Sequence, residues 1–491
     1  MTSWLKKQTA LHPQAPALYW QNQSWSFELL LAEVTAYQNE YQKQFQNFPV
    51  TRVALFSENT PEMIFTILAL WEMGLEIQFL NTRLTKSELA YQLADGQAEV
   101  LLSQPAGFLK MNHDKLLPIP MATDIKRIPL EETPAREPQA HYQPEQIASI
   151  MYTSGTTGFP KGVPQRFKNH FASAQATAQN MQVTADDCWL CPLPLYHISG
   201  LSILLRSLVL GNSLKLYPKF SPTELTTDIV NGRGTVASVV TKTLTDLLPL
   251  IPVEGFPKSF RYFLLGGGPV TTAVLQEAAV KKISVIQSYG MTETCSQVIA
   301  LPPEEAFRKS GSAGKPLGDT QLKILSNGND SAVGEILLKG ASVVESYLAN
   351  QASSSWDLQG WFHTGDLGYL DEEKYLFVVS RLSELIISGG ENIYPAEIET
   401  LLLSNLQILE AAVVGQTDSR WGQVPVAYLK ITPEFDGAAL KKLIEKDLAR
   451  FKRPAAFFVV SEIPKTGSGK PLKRIFLTEE RVNYIEYQLE L

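Results

Sequence analysis

Apolar and polar positions change period repeatedly along this chain, and each change predicts an element. Short apolar runs closed by turn residues predict strands at 53–56, 77–80, 147–151, 238–241 and 263–265. Between the first two lies a longer apolar segment with helix punctuation. Thr60 stands as N-cap, Pro61 in the first helical position, Glu62 in the first turn and Gly74 as stop, which predicts a helix over 61–73. Strands alternating with helices predict α/β layering with partly parallel sheets. The proline-rich, charge-dotted stretch 104–146 predicts irregular connections between subdomains.

The pattern shifts again near residue 380. A Gly-Gly turn at 389–390 precedes a proline-started helix over 395–404. Strand-like runs at 411–414 and 426–431 follow, then a helix over 438–450 and a strand at 457–460. That is a compact α+β unit of about 110 residues, large enough for its own core. The expected organisation is a large N-terminal body of layered sheets and helices over 1–380 and a small C-terminal cap over 385–491.

Composition narrows the function. At 491 residues the chain exceeds one ordinary core. Hydrophobic content of 44% and charged content of 19% suit a globular enzyme rather than a disordered chain. A net charge of -7 argues against nucleic acid as a partner, because phosphate binding wants a basic surface. The densest apolar run, 63–71, falls short of the roughly 20 residues of a spanning helix, so no transmembrane segment is expected. Residues 1–7 lack the apolar region of a signal peptide. Cys188, Cys191 and Cys295 fit a reducing compartment, and together these features predict a cytoplasmic protein. Cys188 and Cys191 have C-x-x-C spacing, but no second pair completes a zinc site.

The strongest chemical signal runs from Tyr152 to Gly162, directly after the 147–151 strand. Glycines let backbone N–H groups approach phosphate oxygens, hydroxyls add donors and Lys161 adds charge. It is not a Walker A loop, since Pro160 precedes the lysine and Gly162 follows it. The Gly/Ser run at 466–470 fails too: Pro464 and Pro471 stand where glycine and a hydroxyl belong.

The Tyr152–Lys161 segment resembles the phosphate loop of the adenylate-forming superfamily of acyl-CoA synthetases, peptide-synthetase adenylation domains and luciferases. Four further segments resemble that superfamily in the same order: 265–269, 288–293, 361–366 and 464–470. Residues 380–384 and 389–392 resemble its hinge and the turn beyond it. The resemblance covers essentially the whole chain and implies ATP, Mg2+ and CoA as cofactors and co-substrates. It implies that Thr153, Ser154, Gly155, Thr156, Thr157, Gly158 and Lys161 hold the phosphates. Gly266, Gly267, Gly268 and Pro269 would receive adenine, and Ser288, Tyr289, Gly290, Met291 and Thr292 would line the nucleotide pocket. Glu293 would hold magnesium, Asp366 and Arg381 the ribose, and Lys470 the reacting carboxylate and α-phosphate. The cap would pivot at 381–384, with Ser383 as hinge residue, bringing Gly389 and Gly390 to the site for the thiol step.

Finer matches at 81–85, 164–170, 197–201, 291–297 and 386–395 resemble the o-succinylbenzoate–CoA ligases of menaquinone synthesis. That group activates a small-molecule acid at its succinyl carboxylate. His197 would then sit between acyl pocket and CoA channel, with Ser199, Gly200, Gly267 and Gly290 along the pocket. The second, aromatic carboxylate needs a cation, and Arg206 is the candidate; the other reading makes it a surface or salt-bridged residue. Two departures stand out. Arg166 replaces a threonine, either harmlessly or as a cation beside the site, and Ser383-Glu384 replaces the Lys-Asp or Asp-Asp of the wider superfamily. Alternatives are a medium-chain or aryl carboxylate–CoA ligase, an adenylation enzyme loading a carrier protein, or a non-catalytic nucleotide binder. Assembly as a homo-oligomer is left open.

Overall fold

The computed structural model describes the chain except Phe48, 105–116, 122–141, 154–159, Pro269, Thr271, 327–331, 349–354, Gly390, 466–470 and Leu491. The chain divides into two compact units, Met1–Leu322 with Leu338–Phe362, and Lys323–Leu337 with His363–Leu491.

Two sheets organise the first unit. One has nine strands, with Val236–Val240, Tyr262–Gly266 and Val285–Met291 parallel neighbours at its centre. The other has six, in which Arg52–Phe56, Glu76–Leu80 and Ile147–Thr153 run parallel and Lys161–Arg166 returns antiparallel. Strand alternation explains how helices cover both faces of each sheet. Tyr262 and Leu264 join the central core, whereas Phe263 and Leu265 join a second core on the far face. Val53 and Leu55 likewise face the central core, and Ala54 and Phe56 the outer one under Leu89 and Leu93. A helical layer packed on both sides lies between the sheets. Every residue of Pro61–Glu72 except Glu62 is buried, as a helix between two sheets requires. Thr60 caps it, its hydroxyl accepting from Met63 N, as the sequence predicts.

The second unit carries strand Phe362–Leu370 from His363 onward and strand Leu376–Arg381, paired antiparallel, and a separate six-stranded sheet. The latter is built on the long hairpin Ile408–Asp418 and Gly422–Ile431. Val413 faces Ile398 and Leu402 of helix Pro395–Leu403 and Leu440 and Ile444 of helix Gly437–Asp447. Ala412 and Val414 face the opposite core with Tyr428 and Phe476.

The strand expected at 411–414 is longer. Apolar runs mark only its buried centre, while ladder bonds carry the pairing out through Gln416 and Thr417. The helix expected over 438–450 stops at Asp447, where Leu448 turns extended and Arg450–Lys452 forms a separate 3-10 turn. Of the proline-rich stretch, Leu117–Pro120 forms a strand parallel to Val100–Ser103, and most of the rest lies outside the described residues. Among the described residues no helix is long and apolar enough to cross a membrane.

Candidate active site

Ile147–Thr153 and Lys161–Arg166 form a hairpin whose ladder reaches Thr153 opposite Lys161. Ser154, Gly155, Thr156, Thr157 and Gly158 lie between them, outside the described residues. The base of the loop is tied to helix Lys86–Gly96: the Tyr152 hydroxyl donates to Asp95 at 2.8 Å and the Tyr91 hydroxyl to the Pro160 carbonyl at 3.1 Å. The Lys161 ammonium stands 5.0 Å from the centre of the Tyr347 ring. The Tyr347 hydroxyl in turn donates to Glu293 Oε1 at 2.8 Å. Cation, ring and carboxylate therefore meet at the loop's base. No sequence pattern around Tyr347 announced it.

Glu293 is buried on the 3-10 turn Thr292–Thr294 that ends strand Val285–Met291. The backbone just beyond is unusual: Cys295 and Ser296 have φ of 53° and 106°. Such conformations cost side-chain-bearing residues about 1–3 kcal/mol each and persist where the surroundings hold them. The holding bonds are present. Ser173 donates to Cys295 O at 2.7 Å, Val344 N to Glu293 O at 2.8 Å, and Thr294 Oγ1 to Ser296 O at 2.7 Å. Gly290 is required by the same fold-back, because a Cβ there would lie 2.1 Å from Ser296 O. Among the described residues no cluster of three or more His, Cys, Asp or Glu could hold a metal. A single buried carboxylate nevertheless fits magnesium, which takes few protein ligands when phosphate oxygens and water supply the rest. Glu293 would be the residue to hold that ion, with Thr292 beside it.

Gly266 closes its strand beside Ser288, whose hydroxyl donates to Leu265 O at 2.9 Å. Gly267 has φ of 87°, and a Cβ on Gly268 would meet nothing within 4 Å. Burial falls off along the neighbouring strand, from buried Val285 to half-buried Ser288, Tyr289, Gly290 and Met291. These glycines and this rim occupy the carboxyl ends of parallel strands, where open α/β sheets bind ligands. Pro269 lies outside the described residues.

His197 occupies the N-cap position of helix Ile198–Leu210 without capping it. Its Nε2 lies 3.5 Å from Asn81 Nδ2, and the Tyr196 ring packs edge-on at 5.0 Å. Ser199 opens the helix, and Gly200 packs so tightly that a Cβ would lie 2.2 Å from Pro194 O. Two turns on, Arg206 is 1% exposed, so the surface alternative fails. Its Nη2 donates to Gln297 Oε1 at 2.7 Å and Ser296 Oγ at 3.0 Å, and its guanidinium lies 5.0 Å from the Trp189 ring. Among the described residues Nε has no partner, and the hydrogen-bond partners of the side chain are neutral. Burial pulls its pKa down to about 9, which leaves it charged at neutral pH.

Arg166 is not beside this site. Its Nη1 donates to Glu145 O, and it shares a surface ion cluster with Glu145, Glu345 and Lys168. Cys188 and Cys191 bound a single strand, and positions three apart on a strand face opposite ways. Burial raises their thiols to about 11 and about 12.

In the second unit Asp366 and Arg381 are cross-strand partners, with Arg381 Nε 2.7 Å from Asp366 Oδ1. The Thr364 hydroxyl accepts from Asp366 N at 3.0 Å, fixing the approach to the carboxylate. Ser383 is exposed on the 3-10 turn Leu382–Glu384 that follows. Lys473 bridges Glu384 at 2.5 Å and Glu399 at 2.8 Å. Gly389 has φ of 59° and donates to Trp421 O at 2.8 Å. Gly390 and Lys470 lie outside the described residues.

Comparison with known proteins follows the same division. Residues 5–348 match the model of the AMP-binding enzyme family, and residues 397–470 that of the AMP-binding enzyme C-terminal domain. A 2-succinylbenzoate–CoA ligase of Enterococcus faecalis is 49% identical over 490 residues, covering 98% of this chain and 99% of its own. The corresponding Bacillus subtilis ligase is 39% identical over 478 residues, 96% of each chain. Among solved structures, the Bacillus subtilis o-succinylbenzoate CoA synthetase in complex with its acyl-adenylate intermediate superposes with a TM-score of 0.90. It is 37% identical and covers 100% of this chain and 99% of its own. The same enzyme with ATP and magnesium gives a TM-score of 0.89 at 38% identity, covering 97% and 100%.

Proposed function

The chain belongs to the AMP-binding enzyme family, and from that premise we propose that it is an AMP-forming o-succinylbenzoate–CoA ligase of the menaquinone pathway. The observation that carries the adenylation step is the convergence of Lys161 and Glu293 on Tyr347 at the base of the loop hairpin. One cationic and one anionic group brought together there suit a magnesium-bound phosphate chain.

In the first half-reaction an oxygen of the succinyl carboxylate attacks the α-phosphorus of ATP. A new P–O bond forms, the α–β bridging bond breaks, and its electron pair leaves with pyrophosphate. Magnesium, when bound, neutralises charge on the phosphate oxygens. Thr153, Lys161 and the loop between them hold those oxygens, Glu293 and Thr292 hold the metal, and Lys470 stabilises charge at the attacked phosphorus. Gly266 to Gly268 take the adenine face, and Asp366 with Arg381 the ribose hydroxyls. In the second half-reaction the CoA sulfur attacks the acyl carbon, AMP departs, and the thiol proton passes to solvent. Residues 381–384 pivot between the two, exchanging Lys470 for the Gly389 turn. No covalent enzyme intermediate is needed.

Arg206 supports the choice of acid. A buried guanidinium without a counter-charge is suited to a second carboxylate, and o-succinylbenzoate has one. His197, Ser199 and Gly200 shape the path to it.

A pyrophosphate-release assay over a panel of acids tests this. o-Succinylbenzoate should give the highest kcat/KM, with AMP release dependent on CoA and on no carrier protein. Faster turnover of a monocarboxylic aryl or medium-chain acid would overturn the assignment of the acid. AMP release only with a carrier protein would overturn the ligase reading, and absence of ATP–pyrophosphate exchange with every acid would leave a nucleotide-binding module.

A further inference from the structure

One run of hydrogen bonds, buried except where it reaches Thr292, connects both strands of the phosphate-loop hairpin to the Glu293 turn. Gln165, on the strand leaving the loop, donates from Nε2 to the Thr292 carbonyl at 2.7 Å across 127 positions of sequence. A carbonyl only accepts, so the amide orientation is determined: Nε2 faces Thr292 and Oε1 faces the other way. That oxygen accepts from Ser149 Oγ, on the strand entering the loop, at 2.7 Å. Ser149 has one proton and gives it to Gln165, so toward His170 Nε2, 2.8 Å away, its oxygen must accept. His170 therefore carries its proton on Nε2. Its Nδ1 is left with no partner among the described residues. Burial holds its pKa near 3, so the ring stays neutral. Gln165 and Ser149 are fully buried and His170 is 1% exposed, so water does not compete for the two Ser149 bonds, while the bond to Thr292 is partly buried.

We propose that Gln165, Ser149 and His170 are positioning residues that set the Glu293 turn against the two strands that flank the phosphate loop. This rests on the reading of Glu293 as the magnesium ligand. A two-part phosphate and metal site needs its parts fixed against each other. The loop and the turn lie far apart in sequence and must keep a separation correct to a fraction of an ångström. The turn is also held by Val344 N, which donates to Glu293 O at 2.8 Å, and by Tyr347, which donates to its carboxylate. Groups that orient a metal ligand act on metal affinity more than on binding of the metal-free ligand.

Gln165→Met keeps the volume and removes both bonds. A non-hydrolysable ATP analogue would be titrated calorimetrically with and without magnesium, and magnesium dependence measured in pyrophosphate exchange. The variant should bind the metal-free analogue within about twofold of the parent, while the gain in affinity given by magnesium falls about 10- to 100-fold. The magnesium concentration for half-maximal exchange should rise in step, with KM for the acid unchanged. Ser149→Ala, which leaves Gln165 in place but unanchored, should move the same quantities by less, and it carries the test if Gln165→Met does not fold. An equal loss of affinity with and without magnesium, alongside a lower melting temperature, would assign these residues to plain stability and overturn the proposal. So would an unchanged magnesium gain. Glu293→Gln separates the two ideas: if that variant keeps the full gain, the magnesium reading fails first.

Discussion

On the proposed reading of the acid, Arg206 is a side chain kept for a ligand at the expense of the unbound protein. A buried cation without a carboxylate partner loses hydration that two neutral acceptors and the Trp189 ring only partly replace. Removing it therefore has opposite effects on binding and on stability. Arg206→Met should raise KM for o-succinylbenzoate by about 30-fold or more, from roughly 2 kcal/mol of lost recognition, with KM for ATP unchanged. A substrate analogue lacking the aromatic carboxylate should lose far less, and the melting temperature of the variant should equal or exceed that of the parent. Steady-state kinetics on the two acids, with calorimetric melting, gives both signs. The sequence offered the residue as a candidate but gave no sign of its surroundings. Gln297 and Ser296, about 90 positions away, reach it only because helix Ile198–Leu210 packs against strand Ser296–Leu301.

Elements carry the geometry at the turn after strand Val285–Met291. There the chain doubles back so closely that Gly290 touches the Ser296–Gln297 backbone. A methyl group would meet Ser296 O at 2.1 Å and Gln297 Cα at 2.6 Å, and backbone atoms cannot rotate aside as a flexible side chain can. Gly290→Ala should lower stability by about 1–3 kcal/mol, the usual range for overpacking. It should also reduce pyrophosphate exchange out of proportion to the stability lost, since Glu293 rides on the displaced turn; denaturant melts and exchange rates on one preparation check this. The strands and helices were largely legible because each has a local signature, such as the Thr60–Pro61 cap or the apolar run into Thr153. The left-handed backbone at Cys295 and Ser296 was not, since neither residue type prefers it and contacts from distant segments impose it.

For the whole molecule, two units with separate cores match two family models along one chain. A division of labour between half-reactions follows from the proposed pivot. Lys470→Ala should abolish acyl-adenylate formation yet spare thioester formation from acyl-adenylate supplied directly. Single-turnover measurement of each step decides it, and equal loss in both would remove the two-conformation scheme. The ion triad Glu384–Lys473–Glu399 bears on the same question, because it ties the segment beyond residue 470 to the turn at 382–384.

By itself the sequence determined the layered body with its smaller C-terminal unit, the loop–strand–glycine order of the motifs, and the chemistry they resemble. Those are properties of neighbours in the chain, where dihedral preference, capping and side-chain period act over a few residues. Only the tertiary structure decided that Tyr347 would join Lys161 to Glu293, that Gln165 would reach Thr292, and that Arg206 would lie buried with neutral partners. A hydrogen bond across 54 or 127 positions leaves no periodic trace in either segment, because its energy depends on where two folded elements bring their atoms and not on what surrounds each residue in the chain.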